Sequence, residues 1–176
     1  MTKDLTVGRP LKVIFDFAVP VFLGYLFQQF YNLVDTIIVG QFLGVSALAS
    51  VGSTGSLNFM IIGFCMGLCS GFAIPVAQKF GAKDFCGMRQ FVFNSAVLGG
   101  IFAIVLTAVT VIFCKPLLVL LKTPADVVDG AYDYFVVILA GIPVVILYDL
   151  LSGIIRAVGD SKTPLYFLIF SEVLNI

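Results

Sequence analysis

Long apolar runs separated by short polar segments dominate the chain. They extend from about Val13 to Gly40, Ser46 to Val76, Phe91 to Cys114, Ala131 to Ile155, and Pro164 to Ile176. A helix needs about 20 apolar residues to cross the ~30 Å hydrocarbon core of a bilayer. The first four runs therefore predict transmembrane helices. The fifth, at about 1.5 Å per residue, rises only ~20 Å, so the sequence reads as stopping inside its fifth span. The expected fold class is all-α: a polytopic membrane helix bundle of about five transmembrane helices, with 1–176 forming one incomplete lobe. Breaker residues mark the joints, namely Gly44, Gly81 to Asp84, Thr123-Pro124 and Gly159 to Ser161. Pro124 and Pro164 suit the first turn of the helix that follows each, and Asp126 and Asp129 complement the start of the fourth.

Polar positions inside these runs carry the candidate chemistry. Tyr25, Gln28, Asn32 and Asp35 are spaced i, i+3, i+7, i+10 and so share one face of the first helix. Facing lipid, a carboxylate costs about 2.5–3.5 kcal/mol on insertion scales, which directs this face toward protein or water. Gln28 and Asn32 alone read best as bonds to neighbouring helices. Asp35 changes that, because a carboxylate can exchange a proton for a cation and an amide cannot. Tyr25, Gln28 and Asn32 are then cavity-lining candidates and Asp35 an ion-coupling candidate. Pro20 removes a backbone hydrogen bond from the same helix and predicts a bend. Gly63, Gly67 and Gly71 repeat every four residues and predict close helix packing. Asn58 and Asn94 fit interhelical bonding. Asp149 lies seven residues before Arg156 and fits an ion pair at the membrane rim. Glu172 and Asn175, three apart, fall near one face of the last run.

Composition agrees with the pattern. Of 176 residues 60% are hydrophobic and only 11% charged, under half the charged share of an ordinary soluble domain. Ten basic residues balance ten acidic ones, leaving no basic field for nucleic acid. Histidine is absent, which removes His-based metal sites and bases. No metal site, cofactor or catalytic residue is expected. Cys65 and Cys69 suit small packing residues better than a zinc pair, and reduced thiols fit all four cysteines. With a cytoplasmic N-terminus, Lys3, Arg9, Lys12, Lys79, Lys83, Arg89, Arg156 and Lys162 fall on the inner side. Only Lys115 and Lys122 fall outside, so the positive-inside rule predicts a multi-pass protein of the cell membrane in that orientation.

Three segments resemble the multidrug and toxic compound extrusion (MATE) family: Tyr31 to Gly52 (YNLVDTIIVGQFLGVSALASVG), Gly71 to Asp84 (GFAIPVAQKFGAKD) and Ser152 to Leu165 (SGIIRAVGDSKTPL). They occur in family order and span nearly the whole chain. The resemblance implies the N-terminal lobe of a twelve-helix inner-membrane transporter built of two six-helix lobes. It implies alternating-access export of small organic, often cationic, substrates in exchange for H+ or Na+, with the remaining transporter lobe as partner. It makes Asp35 a cation or proton site, Pro20 a bending proline and Asn175 an ion-coupling amide of the same polar cluster. Many members place an acidic residue one turn after that amide, which here falls past Ile176.

Two other classes compete. A structural or interaction subunit would use the polar face only to bind helices. A lipid-linked substrate flippase of the same superfamily would line its cavity with basic residues, and no Lys or Arg lies inside a predicted span. An intramembrane enzyme fits least, with no His, no Gly-x-Ser-x-Gly elbow and no paired metal-ligand motif.

Overall fold

A computed structural model describes residues 9–42, 44–120, 123 and 127–175. Among them there is no strand. Six helices follow in order: α1 (Pro10–Phe42), α2 (Gly44–Gly81), α3 (Phe85–Leu120), α4 (Val128–Ala140), α5 (Ile142–Ala157) and α6 (Lys162–Asn175). The first three have 33, 38 and 36 residues. Each is thus longer than a perpendicular crossing requires and either tilts or continues past the hydrocarbon. By length and composition α1, α2 and α3 can each cross a membrane, and α4 with α5 can together make a fourth, bent span.

That fourth span departs from the continuous helix expected over 131–155. It breaks at Gly141, with a bend of 41° between α4 and α5. The cause is local. Pro143 has no N–H for the Leu139 carbonyl, and its ring crowds that oxygen. The chain closes α4 with short bonds from the Gly141 N–H to the Ile138 and Val137 carbonyls, at 2.9 and 3.2 Å. The last part of α4 is thereby tightened toward 3₁₀ geometry, and Val145 N–H restarts the ladder on the Gly141 carbonyl at 3.1 Å.

The chain divides into two compact units, and α1, α2, α3 and α5 contribute to both. Unit 1 comprises Met1–Leu33, Cys69–Ala96 and Leu150–Ile176; unit 2 comprises Val34–Leu68 and Val97–Asp149. In unit 2 the core is built from stripes recurring every three, four or seven residues. They are Thr54, Leu57, Ile61 and Cys65 on α2, Ala103, Thr110, Cys114 and Leu118 on α3, and Ala131, Phe135 and Leu139 on α4. Phe135 is fully buried and is the largest side chain in this set. The two threonines satisfy their hydroxyls within their own helices, Thr54 on the Val51 carbonyl (2.9 Å) and Thr110 on the Leu106 carbonyl (2.7 Å). Neither leaves an unpaired polar atom in the core.

Unit 1 has close helix contacts at two glycines. A Cβ at Gly153 would lie 3.3 Å from the Cβ of Ala73 and 3.6 Å from the Cys69 carbonyl, so α5 meets α2 there almost backbone to backbone. At Gly24 a Cβ would meet Leu165 and Leu168 of α6 at 3.6 and 3.9 Å. The repeat at Gly63, Gly67 and Gly71 does not make the close helix contact its spacing predicts. All three are exposed, and nothing lies within 4 Å of a Cβ placed on any of them. The buried face of α2 is the neighbouring one, carried by Cys65, Cys69 and Val76.

Two carboxylates order the polar turns of unit 1. Asp84 caps α3 by accepting the Gly87 N–H at 2.9 Å, and it pairs with the Lys79 ammonium at 2.8 Å. These two interactions, the ammonium's first, hold its carboxyl below the ordinary value. Asp160 caps α6, accepting the Lys162 and Thr163 N–H groups, both at 3.1 Å, and the Thr163 hydroxyl at 2.8 Å. Burial opposes its ionisation, but the hydrogen bonds outweigh burial and hold it well below the usual carboxylate range. In unit 2, Lys115 joins α3 to α4 through Asp129 at 3.3 Å and lies 5.7 Å above the Tyr132 ring.

Candidate ion and substrate site on helix α1

Helix α1 has no fully buried residue. Its partial burial is nevertheless one-sided. At about 100° per residue, the half-buried Val13, Phe17, Pro20, Gly24, Tyr31 and Asp35 cluster on one face. Tyr25, Gln28 and Asn32 lie beside that face and are exposed. Asp35 therefore stands at the margin, on the packed side of the helix but next to the open polar stripe. The stripe is also wider than its spacing suggests. Asn32 donates from Nδ2 to Oε1 of Gln29 at 3.2 Å, which brings a third amide to it. An i, i+3 scan of the amides could have found Gln29.

Acidic charge within α1 is confined to Asp16 and Asp35, and no Lys or Arg follows Lys12 in it. The stripe thus offers oxygen and amide donors and a single carboxylate beside an otherwise apolar surface. That set can hold a proton or a monovalent cation and can hydrogen-bond a small amphiphilic molecule. No three Cys, Asp or Glu among the described residues converge as metal ligands. Asn175 is the last residue of α6, and its side chain lies outside the described residues, as does that of Glu172. Asn58 is half-buried on α2, with its Oδ1 enclosed and not hydrogen-bonded. Asp149, half-buried on α5 and expected at the membrane rim, has its Oδ2 enclosed within the protein.

Long apolar helices, with a bent pair among them, and a polar face on the first define a polytopic helical membrane protein. The chain belongs to the MatE family, whose family model matches residues 20–176. It is 35% identical over 160 residues to the probable multidrug resistance protein YoeA of Bacillus subtilis, covering 91% of this chain and 35% of that one. It is also similar to solved structures described as MATE in the bent and in the straight conformation. Both are 28% identical, with TM-scores of 0.89 and 0.83. They cover 99% and 98% of this chain but 39% and 38% of theirs. The chain thus spans a little over a third of the length of the relatives it matches.

Proposed function

We propose that this chain forms much of the N-terminal lobe of a multidrug efflux transporter. It would export small organic, often cationic, compounds by alternating access in exchange for protons or sodium. The observation that carries this reading is the position of Asp35, a half-buried carboxylate on a long apolar helix beside the exposed Tyr25, Gln28 and Asn32. Membership of the MatE family and the name of the Bacillus relative support it. The excess of basic residues on the N-terminal side supports a cytoplasmic N-terminus in the cell inner membrane.

In this mechanism the charge on Asp35 sets the state of the polar face. Ionised, the carboxylate favours a hydrated, open face, because burying the charge is costly. Protonated, it can pack more closely, and Pro20, which removes one backbone bond from α1, lowers the resistance to bending. A cationic substrate and the coupling ion then compete for one face, and their exclusion of each other gives exchange. Asn175 would join the same polar cluster from α6.

Asp35→Asn in the full-length protein tests this. Efflux driven by an imposed proton or sodium gradient should be lost, with expression and thermal stability retained. Undiminished gradient-driven efflux would overturn the ion-coupling role. Wild-type protein that neither binds nor moves organic cations would favour a structural subunit, and transport of lipid-linked sugars in their place would favour a flippase.

A further inference from the structure

Three helix starts in unit 1 share one arrangement. Lys12 on α1, Arg89 on α3 and Lys162 on α6 are exposed. One turn further along each helix stands an exposed aromatic ring: Phe15, Phe93 and Tyr166, at 65%, 68% and 66% exposure. The spacing is i, i+3 for the first pair and i, i+4 for the other two, so each cation and its ring share a helical face. Taking α2 and the bent α4–α5 pair as the intervening crossings, α1, α3 and α6 all start on the same side of the membrane. Each ring therefore lies about 4.5–6 Å deeper along its helix than the cation. Charge at this end is one-sided, because the acids of its two turns are engaged within the fold. Asp84 accepts the Gly87 N–H and holds Lys79, and Asp160 accepts the Lys162 and Thr163 N–H groups. The starts of α3 and α6, which could otherwise draw an outside anion to their N–H groups, are thus already capped. The side chains of Lys12, Arg89 and Lys162 make no ion pair or hydrogen bond among the described residues. Lys83 and Arg156 add positive charge to the same unit. Asp16, an exposed acid four residues after Lys12, lowers the potential at the α1 pair.

We propose that these three pairs form a docking rim for anionic phospholipid headgroups. Each cation takes a lipid phosphate, and each ring lies at the level of the glycerol and first acyl carbons beneath it. Both halves of a pair are needed for this occupant. An unpaired ammonium or guanidinium at the surface attracts the anionic lipids of a leaflet. An aromatic side chain settles at the boundary between headgroups and hydrocarbon. The order along each helix, cation first and ring one turn deeper, is the order in which a phospholipid presents phosphate and then chains. A free anion in water would use the cations and leave the rings without a role. Because Asp16 stands near Lys12, the α1 pair should hold its lipid least tightly. The inference requires only that the chain sits in a bilayer, and it stands whether or not the whole protein exports drugs.

The test titrates the full-length protein, in a neutral detergent, with phosphatidylglycerol or with phosphatidylcholine, and counts bound lipids by native mass spectrometry. The readout is the ratio of the two affinities, in which any loss of folded protein cancels. Wild type should prefer phosphatidylglycerol, and the preference should fall as salt is raised. Lys12→Gln/Arg89→Gln/Lys162→Gln should reduce the preference on the order of a hundredfold, at about fivefold for each cation. Lys12→Arg/Arg89→Lys/Lys162→Arg, which keeps the charges, should retain most of it. Phe15→Leu/Phe93→Leu/Tyr166→Leu should weaken both lipids and leave their ratio nearly unchanged. A wild type that binds the two lipids equally would overturn the proposal, as would an unchanged ratio in the glutamine variant. An equal fall in Lys115→Gln, whose cation lies in unit 2, would overturn it by showing that net charge alone sets the preference. Displacement of phosphatidylglycerol by an equal concentration of inorganic phosphate would also overturn it, assigning the cations to a free anion.

Discussion

The most strongly perturbed described side chain outside the spans is a helix cap. Asp160 accepts three hydrogen bonds at the start of α6, and its folded-state carboxyl is held below the usual range. Its stabilising contribution is therefore complete above the unfolded value of about 3.9. It is lost as pH falls through the lower folded value. Asp160→Ala should cost about 1 kcal/mol, as loss of an N-cap typically does. The difference from wild type, measured by denaturant unfolding in detergent, should hold between about pH 5 and 8 and close under strong acid. A difference independent of pH would show that the carboxylate's charge is not what holds the turn. In the sequence this residue stands inside a Gly-Asp-Ser linker, which reads as a break between helices. The signal was available, since an Asp two and three residues ahead of helical N–H groups is the capping arrangement. Asp35 was legible for a different reason: burying a carboxylate in an apolar run is expensive whatever surrounds it. Asp149 was not, because a nearby arginine in sequence offered a ready partner, whereas its enclosure depends on which way α5 faces.

Helix-level reading succeeded where the physics is local and went astray where it depends on facing. The apolar runs predict helices because every backbone group in lipid must be bonded within its own segment. The break in the fourth span escaped because hydropathy does not register it: Gly141, Ile142 and Pro143 keep the run apolar while removing one rung of the ladder. A proline in the middle of the span, Pro143, is the sign. The glycine repeat on α2 shows the opposite error. Spacing marks Gly63, Gly67 and Gly71 as a close-packing strip, but a neighbour must be present to use it. In this chain the close approach is made at Gly153 instead. Gly153→Leu should then be strongly destabilising, by about 1–3 kcal/mol through overpacking against Ala73 and the Cys69 carbonyl. Gly67→Ala, with nothing within 4 Å of the added methyl, should stay within about 0.5 kcal/mol of wild type. Paired unfolding measurements in one detergent check both. Equal losses at the two positions would place the tight interface elsewhere.

At the scale of the whole molecule, the condition of α1 matters most. None of its residues is fully buried, and Tyr25 is 45% exposed beside Gln28 and Asn32. Amides and a carboxylate at a lipid-facing surface are unfavourable, so the stripe requires a partner or a water-filled cavity. On the transport reading proposed above, further helices would enclose a cavity beside that face. Expressed by itself, the chain should satisfy the stripe with a second copy. Interhelical polar contacts of this kind contribute about 0.6 to 2 kcal/mol each, enough to favour dimers at the high local concentrations of a micelle. Sedimentation in detergent should therefore show concentration-dependent self-association. Replacing both Gln28 and Asn32 with leucine should weaken it several-fold by removing the bonds while keeping the helix apolar. A monodisperse, protease-resistant monomer would mean that the stripe is satisfied within this chain. Association unchanged by the double replacement would assign the contact to another surface, with the exposed face of Gly63, Gly67 and Gly71 the next to test.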